Sequence, residues 1–192
     1  MSLPRIRLDD GPTAIRPTSP RDLDELVALR RANRRHTAPW EPSRDDAFYT
    51  PAGQRIELDL DAQAWAVGSA YPFSVLEAGD GDRLVGRVAL ANIVRGAWQN
   101  ATLGYWIAGE AGGRGHATRA VALALRFAFE HAHLHRVQPA VIPRNAASIR
   151  VVERNGFRRE GHAERYLQIN GVWEDHTIFA LTAEEWRARN GG

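Results

Sequence analysis

Glycine occupies three of the nine residues 110–118, which join a strand-like run at Ala101–Ile107 to a helical pattern from about His116 to His131. Glycine lacks a side chain, so the backbone can turn sharply there and approach a ligand closely. The following helix directs unpaired N–H groups and its positive dipole end at the loop. The segment therefore predicts an anion site suited to phosphate, although a plain turn is the commoner use of such a loop.

Composition removes several classes of chemistry. The chain has 192 residues, of which 44% are hydrophobic and 25% charged, and its formal net charge is only +2. That balance is typical of a globular protein and argues against a nucleic-acid partner. The absence of cysteine excludes disulfides, thiolate metal sites and a cysteine nucleophile, and the absence of lysine excludes a Schiff base and a P-loop. The densest basic cluster, Arg30–Arg35, is expected to be a solvated helix face, with a partner contact as the alternative.

Neither a membrane span nor a metal site is expected. No apolar run approaches the roughly 20 residues of a span, and the N-terminal residues lack a signal-peptide pattern. We therefore predict a single cytoplasmic domain over residues 1–192 with no membrane partner. The alternating histidines at 131, 133 and 135 fall at a helix end, where the helix dipole explains them better than metal ligation does.

Periodicity and turn residues predict an α+β protein with a mixed sheet and helices on its faces. Helices are expected after Ser19, over Gln54–Trp65, from about His116 to His131 and from Asn145 to Gly156, with a loop at 37–51 between the first two. Strands are expected at Thr13–Arg16, Tyr71–Glu77, Arg83–Val94, Ala101–Ile107, Val137–Ile142, 157–168 and 173–181, with turns at 79–82, 95–96 and 170–171. The connection between Ala101–Ile107 and Val137–Ile142 is long enough for parallel pairing through a helix.

The order of strand, glycine loop, helix, strand, Asn-capped helix, Gly-Phe and strand resembles the GNAT family of acetyl-CoA-dependent N-acetyltransferases. The loop pattern of that family, Gln/Arg-x-x-Gly-x-Gly/Ala, falls on residues 110–115, where Gly113 and Gly115 match and Glu110 departs. Within the family, the chain is most similar to the ribosomal-protein alanine N-acetyltransferases, here called the Rim group. That similarity is carried by residues 38–42, 91–96, 103–107, 143–148 and 166–176.

The resemblance implies the GNAT fold, a mixed and mostly antiparallel sheet of seven strands with helices on both faces. Two strands of that fold splay apart in a V that receives acetyl-CoA. It implies an enzyme that transfers acetyl directly to an amine, most simply the N-terminal α-amine of a ribosomal protein, as a monomer or homodimer. Two alternatives stay open: a small amine as acceptor, or a GNAT-like module that binds CoA or a partner without turnover.

The resemblance also indicates where acetyl-CoA, the one cofactor expected, would lie. Backbone groups of the glycine loop would hold the pyrophosphate, and the end of the preceding strand would pair with the pantetheine arm. A backbone N–H near Ile107 would polarise the acetyl carbonyl, and Asn145 would face the cofactor while capping its helix. The predicted cofactor-binding residues are Trp106, Ile107, Ala108, Gly113, Arg114, Gly115, His116, Ala117, Thr118 and Asn145.

Catalysis needs a proton donor for the leaving thiolate and a path for the proton of the amine. The common GNAT pattern places a tyrosine donor at position 152, which is Val152 here, whereas the Rim group implies the serine one turn earlier, Ser148. For the base we select Asp175; Glu41, Glu160, His176 and ordered water are alternatives, because an α-amine with a pKa of about 7.7–8.0 is already partly neutral. Asp175 and His176 are adjacent in a strand and should point to opposite faces.

The acceptor is expected to meet residues before the sheet and in the last two strands. Trp40, in a proline-rich loop, is placed at the mouth of the acceptor site. The predicted acceptor-binding residues are Trp40, Glu41, Asn92 and Tyr166, and no metal ligand is predicted.

Overall fold

Strands and helices follow one another in the predicted order in the computed structural model, which describes residues 6–79 and 81–191. The helices are α1 (Leu23–Thr37), α2 (Pro51–Val67), α3 (His116–Arg126), α4 (Ala146–Arg154) and α5 (Ala183–Asn190). The strands are β1 (Leu8–Asp10), β2 (Thr13–Pro17), β3 (Tyr71–Glu77), β4 (Arg83–Val94), β5 (Asn100–Ile107), β6 (Arg136–Gln138), β7 (Ala140–Val141), β8 (Arg158–Ile169) and β9 (Val172–Thr182).

All nine strands join one sheet in the order β1-β2-β3-β4-β5-β6-β9-β7, with β8 on the other side of β9. Every pair is antiparallel except β5–β6, which is parallel and connected through α3 as predicted. The described part of the chain thus has two strands more than the seven expected. One is β1, which sequence analysis missed, and the other arises because the predicted strand at Val137–Ile142 is two short strands.

Proline explains the division between β6 and β7. Pro139 accepts a hydrogen bond from the Phe179 N–H (3.0 Å) through its carbonyl, but it has no N–H of its own to donate to β9. The ladder with β9 therefore runs through Val137, stops, and resumes at Ala140.

The predicted V-shaped splay lies between β5 and this interrupted strand. Only Asn100–Thr102 of β5 pair with β6. The next strand, β7, pairs with β9 and not with β5. In the part of the chain that is described, no strand pairs with that edge of β5 over residues 103–107. The result is a cleft whose one wall is an open strand edge.

Helices cover both faces of the sheet, because alternate strand residues point to opposite sides. On one face, α1 and α2 enclose a cluster that includes Leu26, Leu58 and Leu76. On the other face, α3 and α4 enclose a larger cluster that includes Val75 and Val121. Val75 and Leu76 are neighbours in β3, so this strand contributes side chains to both clusters.

Helix starts follow local capping chemistry. Thr50 accepts a hydrogen bond from the Gly53 N–H (3.1 Å), and Pro51 occupies the first helical position, so α2 begins three residues before the predicted Gln54. The low amphipathicity of α2 obscured that start. The predicted loop at 37–51 contains two short 3₁₀ turns, Ala38–Trp40 and Asp46–Tyr49.

Other boundaries agree with or extend the sequence analysis. The helical pattern to His131 is confirmed, although its last turn, Phe127–His131, is a π-helix. The Asn170-Gly171 hairpin is confirmed, with both residues at positive φ. α5 was missed, and the predicted turn at 79–82 includes Asp80, which lies outside the described residues. Among residues 6–79 and 81–191, no helix combines the length and apolarity of a bilayer span.

Two strand glycines provide a test of the packing at the cleft. A Cβ on Gly86 in β4 would overlap the Trp106 carbonyl oxygen and lie 2.8 Å from the Ile107 Cδ1, whereas a Cβ on Gly104 in β5 would meet no atom within 4 Å. We expect Gly86→Ala to lower the free energy of unfolding by about 1–3 kcal/mol through overpacking. Gly104→Ala should leave it unchanged or raise it slightly. Urea unfolding of the two variants measures the difference, and equal stabilities would contradict the described packing.

Candidate active site

The glycine loop presents open backbone donors at the start of α3. After a 3₁₀ turn at Gly109–Ala111, Gly113 and Gly115 have φ of +74° and +84°, a region that favours glycine. Among the described residues no side chain caps the N-terminus of α3, so the N–H groups of its first turn can bind an anion. The Arg119 Nη1 donates to the Arg114 carbonyl (3.1 Å) and ties the loop to the helix.

Glu77, at the end of β3, contacts the basic side chains beside this loop. Its carboxylate accepts hydrogen bonds from Arg83 (2.6 Å) and Arg114 (3.0 Å), and the His116 Nε2 lies 3.4 Å away. The hydrogen bond from Arg83, followed by that from Arg114, lowers the pKa of Glu77 to about 2. Arg114 is therefore held near the loop by an ion pair and is itself half-exposed.

The side chain of His116 is directed into the protein. It is 2% exposed, and its Nδ1 lies 2.9 Å from the Thr13 hydroxyl. Both ring nitrogens of His116 thus have protein neighbours, Thr13 at Nδ1 and Glu77 at Nε2, so His116 offers a ligand only its backbone N–H. Ala117 and Thr118 follow it in the same turn.

The open edge of β5 leads directly to this loop. The Ala108 N–H donates to the Val85 carbonyl of β4 (2.8 Å). Since consecutive N–H groups of a strand point to opposite edges, the Ile107 N–H points into the cleft. The Trp106 side chain lies on the α1 face, where the Arg30 guanidinium stacks 4.1 Å from its ring.

Ser148 lies across the cleft, in the first turn of α4. The Asn145 Oδ1 accepts a hydrogen bond from the Ser148 N–H (3.0 Å), which confirms the predicted cap. The Ser148 Oγ lies 2.8 Å from the Tyr105 hydroxyl of β5. Burial raises the pKa of Tyr105 to about 12, so the phenol stays neutral. Sequence analysis missed Tyr105; its alternation with Ile107, which puts both side chains on the α3 face, was the available signal.

Of the predicted acceptor-binding residues, Trp40 and Glu41 are connected to the β8–β9 hairpin that carries Tyr166, and Asn92 lies elsewhere. The Arg144 guanidinium lies 5.2 Å from the Trp40 ring and donates to Glu174 (2.6 Å). The Glu41 carbonyl accepts the Asn170 N–H (3.1 Å), which joins the loop after α1 to the β8–β9 hairpin. Tyr166 in that hairpin is exposed, with its ring 5.5 Å from the His176 ring.

Asn92 is the outlier. Its side chain donates to the Thr102 hydroxyl (3.0 Å), at the end of β5 where the strand still pairs with β6. Thr102 precedes Ile107 by five residues, which is about 17 Å along a strand. The structure thus places Asn92 at the opposite end of β5 from Ile107.

Comparison with known proteins identifies the family. The acetyltransferase (GNAT) domain family matches residues 13–158 of the chain. The chain belongs to the GNAT family of N-acetyltransferases.

Similar proteins include members of the Rim group, as the sequence analysis predicted. The chain is 32% identical to the [ribosomal protein uS5]-alanine N-acetyltransferase of Escherichia coli, over 96% of this chain and 95% of that protein. It is 39% identical to the "Probable N-acetyltransferase YjcK" of Bacillus subtilis, over 87% and 92% of the two chains.

Solved structures agree with this relationship. The ribosomal-protein-S5-alanine acetyltransferase of Vibrio fischeri superposes with a TM-score of 0.88 at 32% identity, over 94% of this chain and 98% of that one. Mycobacterium smegmatis RimJ in complex with CoA-disulfide gives a TM-score of 0.86 at 32% identity, over 93% and 89% of the chains. The GNAT fold is therefore confirmed.

Among the predicted bases of this GNAT chain, the carboxylates are engaged by neighbours. Glu41 binds Arg30 (3.0 Å) and Thr37 (2.6 Å) through its two oxygens. Glu160 is paired with Arg136 and Arg158, and its pKa is lowered, first by Arg136.

Asp175 is engaged as well. It accepts the Arg165 N–H (2.8 Å) where β8 bulges, and its second oxygen lies 3.2 Å from the His162 Nε2. The hydrogen bond from the Arg165 N–H holds the pKa of Asp175 below its ordinary value. A lowered pKa makes a carboxylate a weaker proton acceptor.

His176 lies on the opposite face of β9 from Asp175, as strand geometry requires. It is 3% exposed, and its Nδ1 lies 2.9 Å from the Glu174 carbonyl. A carbonyl can only accept, so Nδ1 carries the hydrogen and Nε2 carries a lone pair in the neutral ring. Within the described residues, the structure shows no hydrogen bond to that Nε2.

Arginines of the basic cluster at 30–35 bind residues of the loop that follows α1. Arg30 binds Glu41, the Arg31 Nε donates to the Tyr49 carbonyl (2.7 Å), and Arg34 pairs with Asp46 (2.7 Å). These contacts account for three of its arginines without a partner molecule.

Two of the alternating histidines contact other side chains of the protein. His131 stacks on Phe127 with ring centroids 5.6 Å apart, and the His135 Nε2 lies 3.1 Å from Glu184. Within residues 6–79 and 81–191, no group of three or more histidine or acidic side chains is arranged to hold a metal ion.

Acid titration tests the charge cluster beside the loop. Because the pKa of Glu77 falls from 4.5 to about 2 on folding, its ionised form stabilises the protein above pH 4.5, and this stabilisation is lost as the pH falls towards 2. Glu77→Gln should therefore lower Tm at pH 7, and the difference from wild type should shrink at pH 3. Calorimetry at both pH values measures this, with the exposed loop residue Glu110→Gln as control. A Tm difference independent of pH would refute the ion-pair role.

Proposed function

We propose that the chain transfers the acetyl group of acetyl-CoA directly to the N-terminal α-amine of a protein, with a ribosomal protein as the first candidate acceptor. One observation carries the proposal: the edge of β5 that no described strand covers leads through the glycine loop to the N-terminus of α3, where no described side chain caps the first turn. The similarity to a uS5-alanine N-acetyltransferase supports the acceptor class. A single domain over residues 1–192, a cytoplasmic location and a monomeric or homodimeric state stay sequence-based predictions.

The residues around the cleft suit acetyl-CoA. The loop at Gly113–Gly115 and the first-turn N–H groups of α3 would bind the pyrophosphate, with Arg114 close by. The edge of β5 at Trp106–Ala108 would pair with the amides of the pantetheine arm, and the Ile107 N–H would polarise the acetyl carbonyl. Asn145 would border the cofactor from α4 while it keeps its capping role.

Ser148 is the proposed proton donor to the departing thiolate. Val152, where the common GNAT pattern has a tyrosine, is fully buried and has no proton to give. The Ser148 hydroxyl lies in the first turn of α4, where the positive end of the helix dipole favours developing negative charge.

For the proton of the amine, the geometry favours His176 over the predicted Asp175. Glu41, Glu160 and Asp175 all accept hydrogen bonds from neighbours, whereas no described residue bonds to the His176 Nε2. Because the His176 side chain is buried, the amine proton would reach it through ordered water. His176 also shares its face of β9 with Glu174, which pairs with Arg144 beside Trp40. That is the side on which the acceptor is expected to enter.

An acceptor panel tests the function. Release of free CoA from acetyl-CoA is measured with peptides that begin with Ala, Ser or Met, beside small amines such as polyamines. We expect turnover with an α-amine peptide and little with small amines. Efficient transfer to a small amine would show that the acceptor is a small amine and not a protein. If acetyl-CoA raises Tm but no acceptor releases CoA, the chain is a binding module and the proposed activity is wrong.

Two substitutions decide between the candidate bases. His176→Asn keeps a donor for the Glu174 carbonyl but removes the Nε2 lone pair, so kcat should fall by about 10²-fold at pH 7. The loss should become smaller above pH 8, where an α-amine is largely neutral. Asp175→Asn should loosen the hairpin and change kcat by less than about twofold. If instead Asp175→Asn causes the large, pH-dependent loss, the base is Asp175; Tm of both variants reports folding.

A further inference from the structure

Tyr105 and Ser148 form a hydroxyl pair across the cleft. Tyr105 projects from β5 on the face of α3 and α4, two residues before Ile107. Its hydroxyl lies 2.8 Å from the Ser148 Oγ and 3.2 Å from the Ser148 carbonyl oxygen. The two residues are 43 positions apart in the chain, so the contact exists only through the fold.

The phenol has one hydrogen and two acceptors, and these define two arrangements. When Tyr105 donates to the Ser148 carbonyl, the Ser148 hydroxyl donates back to the phenol oxygen and its hydrogen is occupied. When Tyr105 donates to the Ser148 Oγ, the serine hydrogen is released to another acceptor. The shorter distance is the one to Oγ.

We propose that Tyr105 is a positioning residue for Ser148, donating its hydrogen bond to the Ser148 Oγ and thereby turning the serine hydrogen towards the open edge of β5. This inference rests on the proposed function, because it assigns the released hydrogen to the sulfur of the departing CoA. It adds a second hydroxyl to the donor side of the cleft.

The proton balance is closed by the acceptor amine. As the C–S bond breaks, its electron pair stays on sulfur, and the sulfur takes the Ser148 hydrogen. The negative charge left on the serine oxygen is stabilised by the hydrogen bond from Tyr105. The proton that the amine loses on forming the N–C bond returns to the serine through the base and water, so no further reactant is required.

Loss of the phenol hydroxyl should leave Ser148 present but misdirected. The serine hydroxyl in a first helical turn can then bond to a carbonyl of its own helix or the preceding turn. The cofactor-binding groups at Gly113, Gly115 and Ile107 do not include Tyr105, so affinity for CoA should not depend on it.

The experiment compares Tyr105→Phe with Tyr71→Phe. Tyr71 also lies in a strand and uses its hydroxyl, which accepts a hydrogen bond from Arg95 (3.2 Å), but it packs against Trp65 away from Ser148. We expect Tyr105→Phe to lower kcat by about tenfold or more, with KM for acetyl-CoA and Kd for CoA within about twofold of wild type. Tyr71→Phe should keep kcat within about twofold.

The double variant separates positioning from a structural role. If Tyr105 acts through Ser148, then Tyr105→Phe combined with Ser148→Ala should be no slower than Ser148→Ala alone. Independent, multiplying losses would overturn the inference. A readout without turnover is the ¹³Cζ resonance of labelled tyrosine, which should shift for Tyr105 and not for Tyr71 in Ser148→Ala.

The outcomes distinguish this inference from the proposed function. An active wild type whose kcat survives Tyr105→Phe refutes the positioning role and leaves acetyl transfer intact. Full turnover by Ser148→Ala refutes the donor and the positioning role together. A wild type that binds CoA but acetylates no acceptor refutes the function, and an unshifted Tyr105 resonance in Ser148→Ala then refutes the hydroxyl pair itself.

Discussion

The pairing between β5 and β6 ends at Thr102 and Gln138, and the candidate site is arranged around the strand edge that this leaves open. If β5 were paired along its whole length, its outward N–H groups would donate their hydrogen bonds to a neighbouring strand. Because residues 103–107 have no such neighbour in the described chain, the Ile107 N–H remains available beside the glycine loop. Ser148 and Tyr105 then face each other across the same gap. Because β9 pairs with both β6 and β7, the strands on the two sides of the gap belong to one sheet.

Buried and half-buried arginines connect the loop after α1 to the β8–β9 hairpin. Arg30 lies between the Trp106 ring and Glu41, and the Glu41 carbonyl in turn receives the Asn170 N–H from the hairpin tip. Arg144 makes a second connection, between Trp40 and Glu174. The loop after α1 and the β8–β9 hairpin are thus fastened at two points, and three of the four arginines at 30–35 bind groups within the chain.

Local features of the chain predicted most elements of the fold. The bounds of β3 and β4 follow from apolar runs that end at turn residues, the Asn170-Gly171 turn from its φ preference, and the start of α4 from the Asn145 cap, because each depends on a few adjacent residues. The same locality explains the failures. β1 is only three residues long, and α5 is a short helix whose capping box at Thr182 was not recognised. The division at Pro139 depends on which neighbour its missing N–H would have served.

By itself, the sequence determined the family, the order of elements and the glycine loop with its helix start, since these are written in short windows of residue type and spacing. Only the tertiary structure decided which side chains can do chemistry. It pairs Ser148 with Tyr105, turns His116 inward towards Thr13, engages the oxygens of Asp175 and leaves the lone pair of the His176 Nε2 without a described partner. The reason is physical: a group is available for chemistry to the extent that nearer groups leave its hydrogens and lone pairs unused, and contacts between residues far apart in the chain decide this.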